Sequence, residues 1–174
     1  PSGMPYDSIT GEDIVVMRPD GTIAEGFRKP TVEWAMHLGI MNARRDVNAI
    51  IHTHPIYSQV FAVLHEDIPP VIDEAAQAMG GEVKTAEYAL PGTKKLAQNA
   101  LAALGNGAAC LLANHGAVCV GKDANAAFKV CNVLEMTAHI YYMARSIGEP
   151  EPISREDVEY MRDFAANRYG QDKN

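Results

Sequence analysis

The chain has 174 residues, of which 47% are hydrophobic and 21% charged, so residues 1–174 are predicted to form a single globular domain. Its net charge of −7 argues against a nucleic-acid-binding protein, and no apolar run is long enough to span a bilayer. No signal peptide is recognisable, and the three cysteines form no CxxC pair, which is typical of a reducing cytosol. We therefore expect a cytoplasmic protein whose partners include neither nucleic acid nor membrane.

Near the start of the chain, a hairpin and then a helix are predicted. The hairpin strands are residues 14–17 and 23–24. The helix is predicted to open at residues 30–31, with Trp34, Leu38 and Met41 on one side. Glu33 falls in the first turn, where a carboxylate favours the positive end of the helix dipole. Taken alone, Glu33 is therefore interpreted as a residue that stabilises the helix start.

Two histidines follow a β-branched, apolar run at residues 47–51. Side chains of a strand alternate between its two faces, so His52 and His54 are predicted to point the same way. Pro55 cannot donate a ladder hydrogen bond and is expected to end the strand, which leaves both rings at its rim. Neutral imidazole is a good ligand for zinc and its neighbours, although two ordinary histidines at a strand end are an equal alternative.

The rest of the chain alternates between helices and short strands. Helices are predicted at residues 57–64, 73–79, 93–104 and 123–146 and after Ser154. Strands are predicted at residues 109–113 and 117–120, with one or two short strands within residues 83–89. Some strand pairs are joined by turns and others by helices, which favours an α/β layered fold with a largely antiparallel or mixed sheet. No GxGxxG or Walker-type loop is present, so nucleotide binding has no support.

A third candidate ligand, His115, lies in Asn114-His115-Gly116 between the two apolar strands. A catalytic zinc site uses three protein ligands and an open position, and His52, His54 and His115 would supply three nitrogens. Spacing alone does not bring His115 to the other two. The remaining histidines are interpreted as surface or core residues, and these are His37, His65 and His139.

Several motifs together resemble the class II aldolase/adducin family. They are residues 30–34, 50–55 and 111–116, with further matches at 68–81, at 91–93 and at Arg168-Tyr169-Gly170. Within the family, the motifs are most similar to the L-fuculose-1-phosphate aldolases and then to the L-ribulose-5-phosphate 4-epimerases. The chain opens at Pro1 without an initiator Met, and it lacks the upstream Gly-Asn-x-Ser segment of the family. We therefore interpret it as a trimmed piece without the family's N-terminal segment.

The resemblance implies a fold, a cofactor and an assembly. The implied fold is a three-layer α/β/α sandwich with a mostly antiparallel central sheet. The implied metal is Zn²⁺, with another divalent transition metal as an alternative, held by His52, His54 and His115 with the Glu33 carboxylate beside it. The implied assembly is a homotetramer whose active sites lie between neighbouring subunits.

The resemblance also implies roles for residues outside the histidine cluster. Glu33 would move a proton at C3 of the sugar, and Tyr169 of a neighbouring subunit would serve the departing aldehyde. Phosphate would bind hydroxyl and backbone N–H groups of Ser2, Gly3 and Thr31. Two departures are noted. Val32 stands where the family has a serine, and Asp73-Glu74 stands near the position of a family tyrosine, so the sugar and the proton route are left open.

The expected activity is that of a zinc-dependent aldehyde-lyase. It would cleave an L-fuculose 1-phosphate-like ketose 1-phosphate to dihydroxyacetone phosphate and a small aldehyde, with the metal stabilising the negative charge that develops. A pentulose-5-phosphate 4-epimerase, or another sugar-phosphate lyase on the same scaffold, is the first alternative. A non-catalytic, adducin-like assembly module is the second, and the three imidazoles together with Glu33 argue against it.

Overall fold

The computed structural model describes residues 1–169, whose regular elements alternate between helices and strands. In chain order, they are β1 (Val16–Met17), β2 (Ile23–Glu25), α1 (Trp34–Ala43), β3 (Ala49–Thr53), α2 (Ile56–Leu64), α3 (Asp73–Met79), β4 (Thr85–Ala86), α4 (Lys94–Leu104), β5 (Ala109–Leu112), β6 (Gly116–Gly121), α5 (Ala124–Ile147) and α6 (Arg155–Asn167). In this part of the chain, no helix is both long and apolar enough to cross a membrane.

The central sheet has the strand order β3-β6-β5-β4, and β1 and β2 form a separate hairpin. β3 pairs antiparallel with β6, and β6 pairs antiparallel with β5. Only the short β4 runs parallel to its neighbour. The register places Thr53 opposite Ala117, so the end of β3 lies beside the turn that connects β5 to β6.

Side-chain alternation in the two central strands creates a hydrophobic core on each face of the sheet. On one face, Leu111 and Cys119 pack against residues of α2, α3 and α5. On the other face, Leu112 and Val118 pack against residues of α1 and α4. Helices therefore cover both faces, which confirms the expected three-layer α/β/α sandwich with a mostly antiparallel sheet.

Helix α1 differs from the sequence-based expectation in its start and in its buried side. It begins at Trp34, and Glu33 is the N-cap residue because its carbonyl accepts the N–H groups of Met36 and His37. Met36 and Ile40 are buried against α4, whereas the predicted apolar side remains partly exposed, with Trp34 at 37%. Packing against a second helix, which the sequence of α1 alone does not reveal, determines the buried side.

Residues 83–89, predicted as one or two short strands, form a short strand and an isolated bridge. The ladder of the strand is limited to Thr85–Ala86, and Val83 forms an isolated bridge with Ile68. The other predicted elements agree with the structure within a few residues. Helix α5 is capped by the side chain of Asp123, which accepts the N–H of Ala126.

Candidate metal centre

Strand β3 delivers two of the three histidines. Its last residue is Thr53, and Pro55 forms the N-cap of α2, so His52 and His54 lie at the rim of the sheet as the alternation predicts. Their ring centroids are 4.8 Å apart, and the two Nε2 atoms are 3.1 Å apart. Two imidazole nitrogens therefore point toward one place.

The β5–β6 turn delivers the third histidine. Asn114 adopts a left-handed backbone with φ of 55°, which turns the chain sharply between the two strands. Because β6 lies between β3 and β5, this turn places His115 next to the end of β3. The ring centroid of His115 is 4.8 Å from that of His52 and 5.2 Å from that of His54.

Gly116 makes this convergence sterically possible. A Cβ atom at Gly116 would lie 2.4 Å from the Thr53 carbonyl oxygen and 2.6 Å from His54 Cδ2. Both distances are shorter than non-bonded atoms tolerate, so any larger residue would push the two strands or the rings apart. The glycine after His115 is therefore required for the close approach of β3 and β6.

Glu33 completes the cluster from the start of α1. One carboxylate oxygen, Oε2, lies 2.9 Å from His52 Nε2, and the other, Oε1, lies 3.3 Å from His115 Nε2. Burial by itself raises the pKa of Glu33. The hydrogen bond to His52 and the charges of His52, His115 and His37 outweigh this effect, so the pKa of the carboxyl is lowered overall.

The lone pairs that converge in this cluster can be satisfied only by a cation or by additional protons. His52 Nδ1 lies 2.9 Å from the Ala117 carbonyl oxygen and must donate its proton there, so His52 Nε2 presents a lone pair to Glu33 unless the ring is protonated. Among the described residues, Glu33 Oε1 and His115 Nδ1 are buried side-chain atoms without a hydrogen-bond partner. Buried polar atoms are rarely left unpaired, and Glu33 Oε1 is an acceptor that a cation would satisfy, so the residues fit a bound cation.

The spacing of the three rings also fits a metal ion. One nitrogen from each of His52, His54 and His115 lies within 4.8 Å of the others. A tetrahedral zinc ion with nitrogen ligands at about 2.0–2.1 Å separates those nitrogens by about 3.3 Å. The 3.1 Å between the Nε2 atoms of His52 and His54 is close to that separation. The three-histidine group could therefore hold a metal ion.

Comparison with known proteins agrees with this arrangement. The family described as "Class II Aldolase and Adducin N-terminal domain" matches residues 1–142. The chain belongs to the class II aldolase/adducin family. It is 40% identical over 161 residues to the 5-deoxy-D-ribulose 1-phosphate aldolase of Bacillus thuringiensis serovar kurstaki, which covers 92% of this chain and 75% of that protein. Identity to the L-fuculose phosphate aldolase of Escherichia coli is 30% over 157 residues, covering 90% and 73%.

Solved structures show the same likeness. One L-fuculose 1-phosphate aldolase superposes with a TM-score of 0.92 at 41% identity, covering 94% of this chain and 76% of that one. The L-fuculose-1-phosphate aldolase of Thermus thermophilus has a TM-score of 0.66 at 27% identity, covering 79% and 72%. The chain is therefore similar to class II aldolases in both sequence and fold.

The residues expected to bind phosphate lie on neighbouring segments of this class II aldolase family member. The N–H of Ser2 donates to the Lys29 carbonyl oxygen at 3.1 Å, which ties the N-terminal segment to the loop before α1. Gly3 has a φ of 71°, and Thr31 Oγ1 accepts the N–H of Glu33 at 3.4 Å. Val32 is 60% exposed and offers no side-chain donor.

Tyr169 follows the end of α6, two residues after Asn167. It is 61% exposed, and its ring packs against Phe164, with 6.1 Å between the ring centroids. Gly170, the last residue of its motif, lies outside the described residues. Asp73 and Glu74 occupy the exposed first turn of α3. Within residues 1–169, only His52, His54, His115 and Glu33 are thus brought together among the predicted site residues.

The remaining histidines have more varied surroundings than predicted. His139 stacks on Tyr57 with 3.7 Å between ring centroids, as expected for a packing residue. His65 Nε2 lies 2.6 Å from the side-chain oxygen of Asn114, beside the third ligand. His37 follows Glu33 by one helical turn, and burial is the main cause that lowers its pKa, with the charge of His52 acting in the same direction.

Two polar residues near the site were not singled out from the sequence. Gln59 of α2 donates to the backbone carbonyl of His115, and Glu135 of α5 accepts the first N–H groups of α2. One signal for Glu135 was available, because Pro55 precedes α2 without offering a side-chain acceptor for the helix start. An acceptor from elsewhere in the chain was therefore to be expected.

Proposed function

We propose that this protein is a metal-dependent aldolase that cleaves a ketose 1-phosphate to dihydroxyacetone phosphate and a small aldehyde. The observation that carries this proposal is the convergence of three imidazole nitrogens within 4.8 Å, with both oxygens of a buried carboxylate beside them. Relatives named as aldolases of 5-deoxy-D-ribulose 1-phosphate and of L-fuculose phosphate support the substrate class. Both names describe phosphorylated ketoses.

His52, His54 and His115 would hold the metal, for which zinc is the expected ion because three imidazoles and an open position are typical of catalytic zinc sites. When bound, such an ion supplies Lewis acidity that stabilises the negative charge developing on the substrate oxygens. The Ala117 carbonyl oxygen accepts the Nδ1 proton of His52 and so keeps Nε2 directed at the site.

Glu33 is the proposed acid/base group. Aldol cleavage removes the proton of the C4 hydroxyl, breaks the C3–C4 bond and leaves the bonding electron pair on C3, which must then gain a proton. Glu33 is buried, borders the cluster and, as a carboxylate, would take the C4 hydroxyl proton and return it to C3. Tyr169 from a neighbouring subunit would serve the departing aldehyde, since within its own chain Tyr169 packs against Phe164 of α6.

Substrate phosphate would bind Ser2, Gly3 and Thr31. The hydrogen bond from the Ser2 N–H to the Lys29 carbonyl oxygen supports this assignment. Lys29 is two residues before Thr31, and Thr31 Oγ1 accepts the N–H of Glu33, so the bond keeps Ser2 near the segment that carries Glu33. Because the Ser2 N–H is bonded to Lys29, the proposed donors are the hydroxyls of Ser2 and Thr31 and the N–H groups of Gly3 and Thr31.

A homotetramer with active sites between subunits is the proposed assembly. Apolar side chains on the outer face of α5 support it, because Phe128 is 60% exposed, Met143 55% and Ile147 90%. Exposed apolar patches on a globular domain mark interaction surfaces. Light scattering of the purified protein would measure the subunit number.

The experiment that tests the proposed function combines metal analysis with product analysis. The purified protein is expected to carry one divalent metal ion per chain, and the His52→Ala variant is expected to lose it, whereas His139→Ala retains it. Incubation with L-fuculose 1-phosphate and 5-deoxy-D-ribulose 1-phosphate should release dihydroxyacetone phosphate, and a chelator should abolish this release.

Three results would contradict the proposal. Undiminished cleavage by metal-free protein would exclude a metal-dependent reaction. Absence of stoichiometric metal together with absence of cleavage would favour a non-catalytic assembly module. A C4 epimer formed from a pentulose 5-phosphate without aldehyde release would instead identify an epimerase.

A further inference from the structure

Helix α2 begins immediately after His54 and Pro55 and has no capping side chain of its own. The N–H groups of its first turn are instead satisfied by α5. Glu135 Oε1 accepts the N–H of Tyr57 at 2.8 Å, and Oε2 accepts the N–H of Ser58 at 2.9 Å. The buried Ser58 hydroxyl also donates to Oε2, at 2.7 Å. One carboxylate therefore fixes the helix start that follows His54.

The same helix is bonded to the turn that carries His115. The Gln59 side-chain amide donates to the His115 carbonyl oxygen at 2.7 Å. One turn further along α2, the Ala62 carbonyl oxygen accepts the N–H of Asn114 at 3.1 Å. The end of the helix adds the contact between His65 Nε2 and the Asn114 side-chain oxygen. Helix α2 thus holds the β5–β6 turn along its whole length.

Two uncommon backbone conformations accompany these bonds. Among the described residues, the only non-glycine residues with positive φ are His65, at 57°, and Asn114, at 55°. Their side chains are bonded to each other. Left-handed backbone at non-glycine residues is uncommon, and it persists where the surrounding structure imposes it. Here the surrounding structure is α2 and the turn before His115.

We infer that Gln59 and Glu135 are positioning residues that set the separation between His54 and His115. Glu135 fixes the start of α2 directly behind His54, and Gln59 joins that start to the backbone of His115. Neither residue belongs to the three-histidine group; each acts through a backbone segment that carries a ligand. This inference rests on the proposed three-histidine metal site and assigns two residues to its support.

Metal affinity depends on the placement of ligands before the ion arrives. Residues that orient metal ligands typically contribute about 10- to 100-fold to metal affinity. Gln59 is the more direct of the two, because its donor contacts the ligand residue itself. Glu135 acts one step further away, through the N–H groups of Tyr57 and Ser58.

The test uses the variants Gln59→Met and Glu135→Gln with Co²⁺ as the probe, since its visible absorption reports both binding and coordination geometry. Gln59→Met removes the donor and nearly preserves the side-chain length. Gln98→Met is the matched control, because Gln98 is an exposed glutamine on α4. We expect Gln59→Met to weaken Co²⁺ binding by about 10- to 100-fold and Glu135→Gln by about 10-fold. Gln98→Met should bind like the wild type.

Melting temperature and Co²⁺ affinity together distinguish a positioning role of Gln59 and Glu135 from a purely structural one. With a purely structural role, both variants would lower the melting temperature of the metal-free protein, while folded protein would bind Co²⁺ with unchanged affinity and an unchanged spectrum. That result would overturn the inference and leave the proposed function intact. A wild-type protein without stoichiometric Co²⁺ binding would instead contradict the proposed function.

A measurement without metal tests the bonds themselves. Hydrogen exchange at the Asn114 amide reports the bond to the Ala62 carbonyl oxygen, and exchange at the Ser58 amide reports the bond to Glu135. Gln59→Met should accelerate exchange at Asn114 relative to Gln98→Met, and Glu135→Gln should accelerate it at Ser58. Unchanged exchange at both amides would contradict the positioning role even if no metal bound.

Discussion

The two ends of the central sheet differ in whether their polar side chains find hydrogen-bond partners within the fold. At the end formed by Thr53 and Gly116, three histidine side chains meet a buried carboxylate, and the acceptor Glu33 Oε1 has no hydrogen-bond partner. The opposite end has an arginine whose hydrogen-bonding groups are used within the fold. Both ends are built from the same two strands, β3 and β6, so the difference lies in the side chains that the adjoining turns supply.

Arg44 illustrates the satisfied end. Its Nε and Nη2 atoms donate to the two oxygens of Asp46 at 2.8 and 2.6 Å. Its Nη1 atom donates to the carbonyl oxygens of Gly105 and Gly107 at 2.6 and 3.1 Å. A cavity of about 160 Å³ beside Arg44 is therefore lined by a guanidinium whose N–H groups already donate to Asp46, Gly105 and Gly107.

The contrast separates a structural cluster from a binding cluster. A charged group whose hydrogen bonds are made within the fold connects loops and gains no stability from a ligand. A buried acceptor without a partner destabilises the folded state until a cation or a proton binds it. By this criterion the histidine end is the functional end of the sheet. Substitutions at the two ends should therefore affect different properties.

The largest effect is expected from Glu33→Gln at the histidine end. The substitution keeps the size of the side chain but removes its ability to exchange a proton, so the rate of aldol cleavage should fall by about 10²- to 10⁴-fold. Metal should stay bound, because the three imidazoles remain. Steady-state kinetics with dihydroxyacetone phosphate detection would measure the rate, and metal analysis would measure occupancy.

Glu87→Gln is a suitable control for Glu33→Gln, since Glu87 is exposed on a different segment. Its cleavage rate should match that of the wild type. A Glu33→Gln protein that retained metal and full activity would show that another group moves the proton.

The two glycines at the ends of β6 test the contrast directly. An added Cβ at Gly116 would lie 2.4 Å from the Thr53 carbonyl oxygen, and one at Gly121 would lie 2.4 Å from the Ala127 backbone nitrogen. Both alanine variants should therefore lose about 1–3 kcal/mol of unfolding free energy through overpacking. Only Gly116→Ala should also weaken metal binding, because its methyl group meets His54.

Chemical denaturation of both metal-free variants would measure the stability change, and Co²⁺ titration of the folded proteins would measure affinity. Equal affinities in the two variants would mean that the approach of His54 to Gly116 is unrelated to metal binding. The two variants can lose different amounts of unfolding free energy without affecting this conclusion, since the backbone around Gly116 and around Gly121 relaxes to different extents.

Local patterns in the sequence predicted most elements and half of the site. Alternation was sufficient to place His52 and His54 on one side, because they are two residues apart in a continuous extended segment at the end of β3. The meeting of His115 with that pair depends on β6 lying between β3 and β5, a long-range pairing that no local pattern encodes. The resemblance to the family supplied that step.

Tertiary packing explains what the sequence did not show. The buried side of α1 is set by α4, so Met36 and Ile40 are in the core and Trp34 is not. Gln59 and Glu135 have the polar character of ordinary solvent-facing helix residues, and only the fold brings them to the backbone of α2 and of His115. Tyr169, Ser2, Gly3 and Thr31 remain predictions in their catalytic and phosphate-binding roles.

The smallest effect is expected at the satisfied end, from Asp46→Asn. The hydrogen bonds from Arg44 lower the pKa of Asp46 to about 2, below its value in the unfolded chain. A carboxyl with a lowered pKa in the folded state stabilises it above the unfolded pKa and loses that contribution as pH falls. The difference in unfolding free energy between wild type and Asp46→Asn should thus be present near neutral pH and shrink between about pH 4 and pH 2.

The size of this difference follows from exposure. The Asp46 side chain is 67% exposed, so solvent screens the pair and its contribution should stay below about 1 kcal/mol. Urea denaturation of the metal-free proteins over that pH range would measure it, and Co²⁺ affinity near neutral pH should be unchanged in Asp46→Asn. A pH-independent difference would show that Asp46 acts through packing rather than charge. A loss of metal affinity would show that the two ends of the sheet are coupled, because no ligand-bearing segment contacts the Arg44 cluster in the described hydrogen bonds.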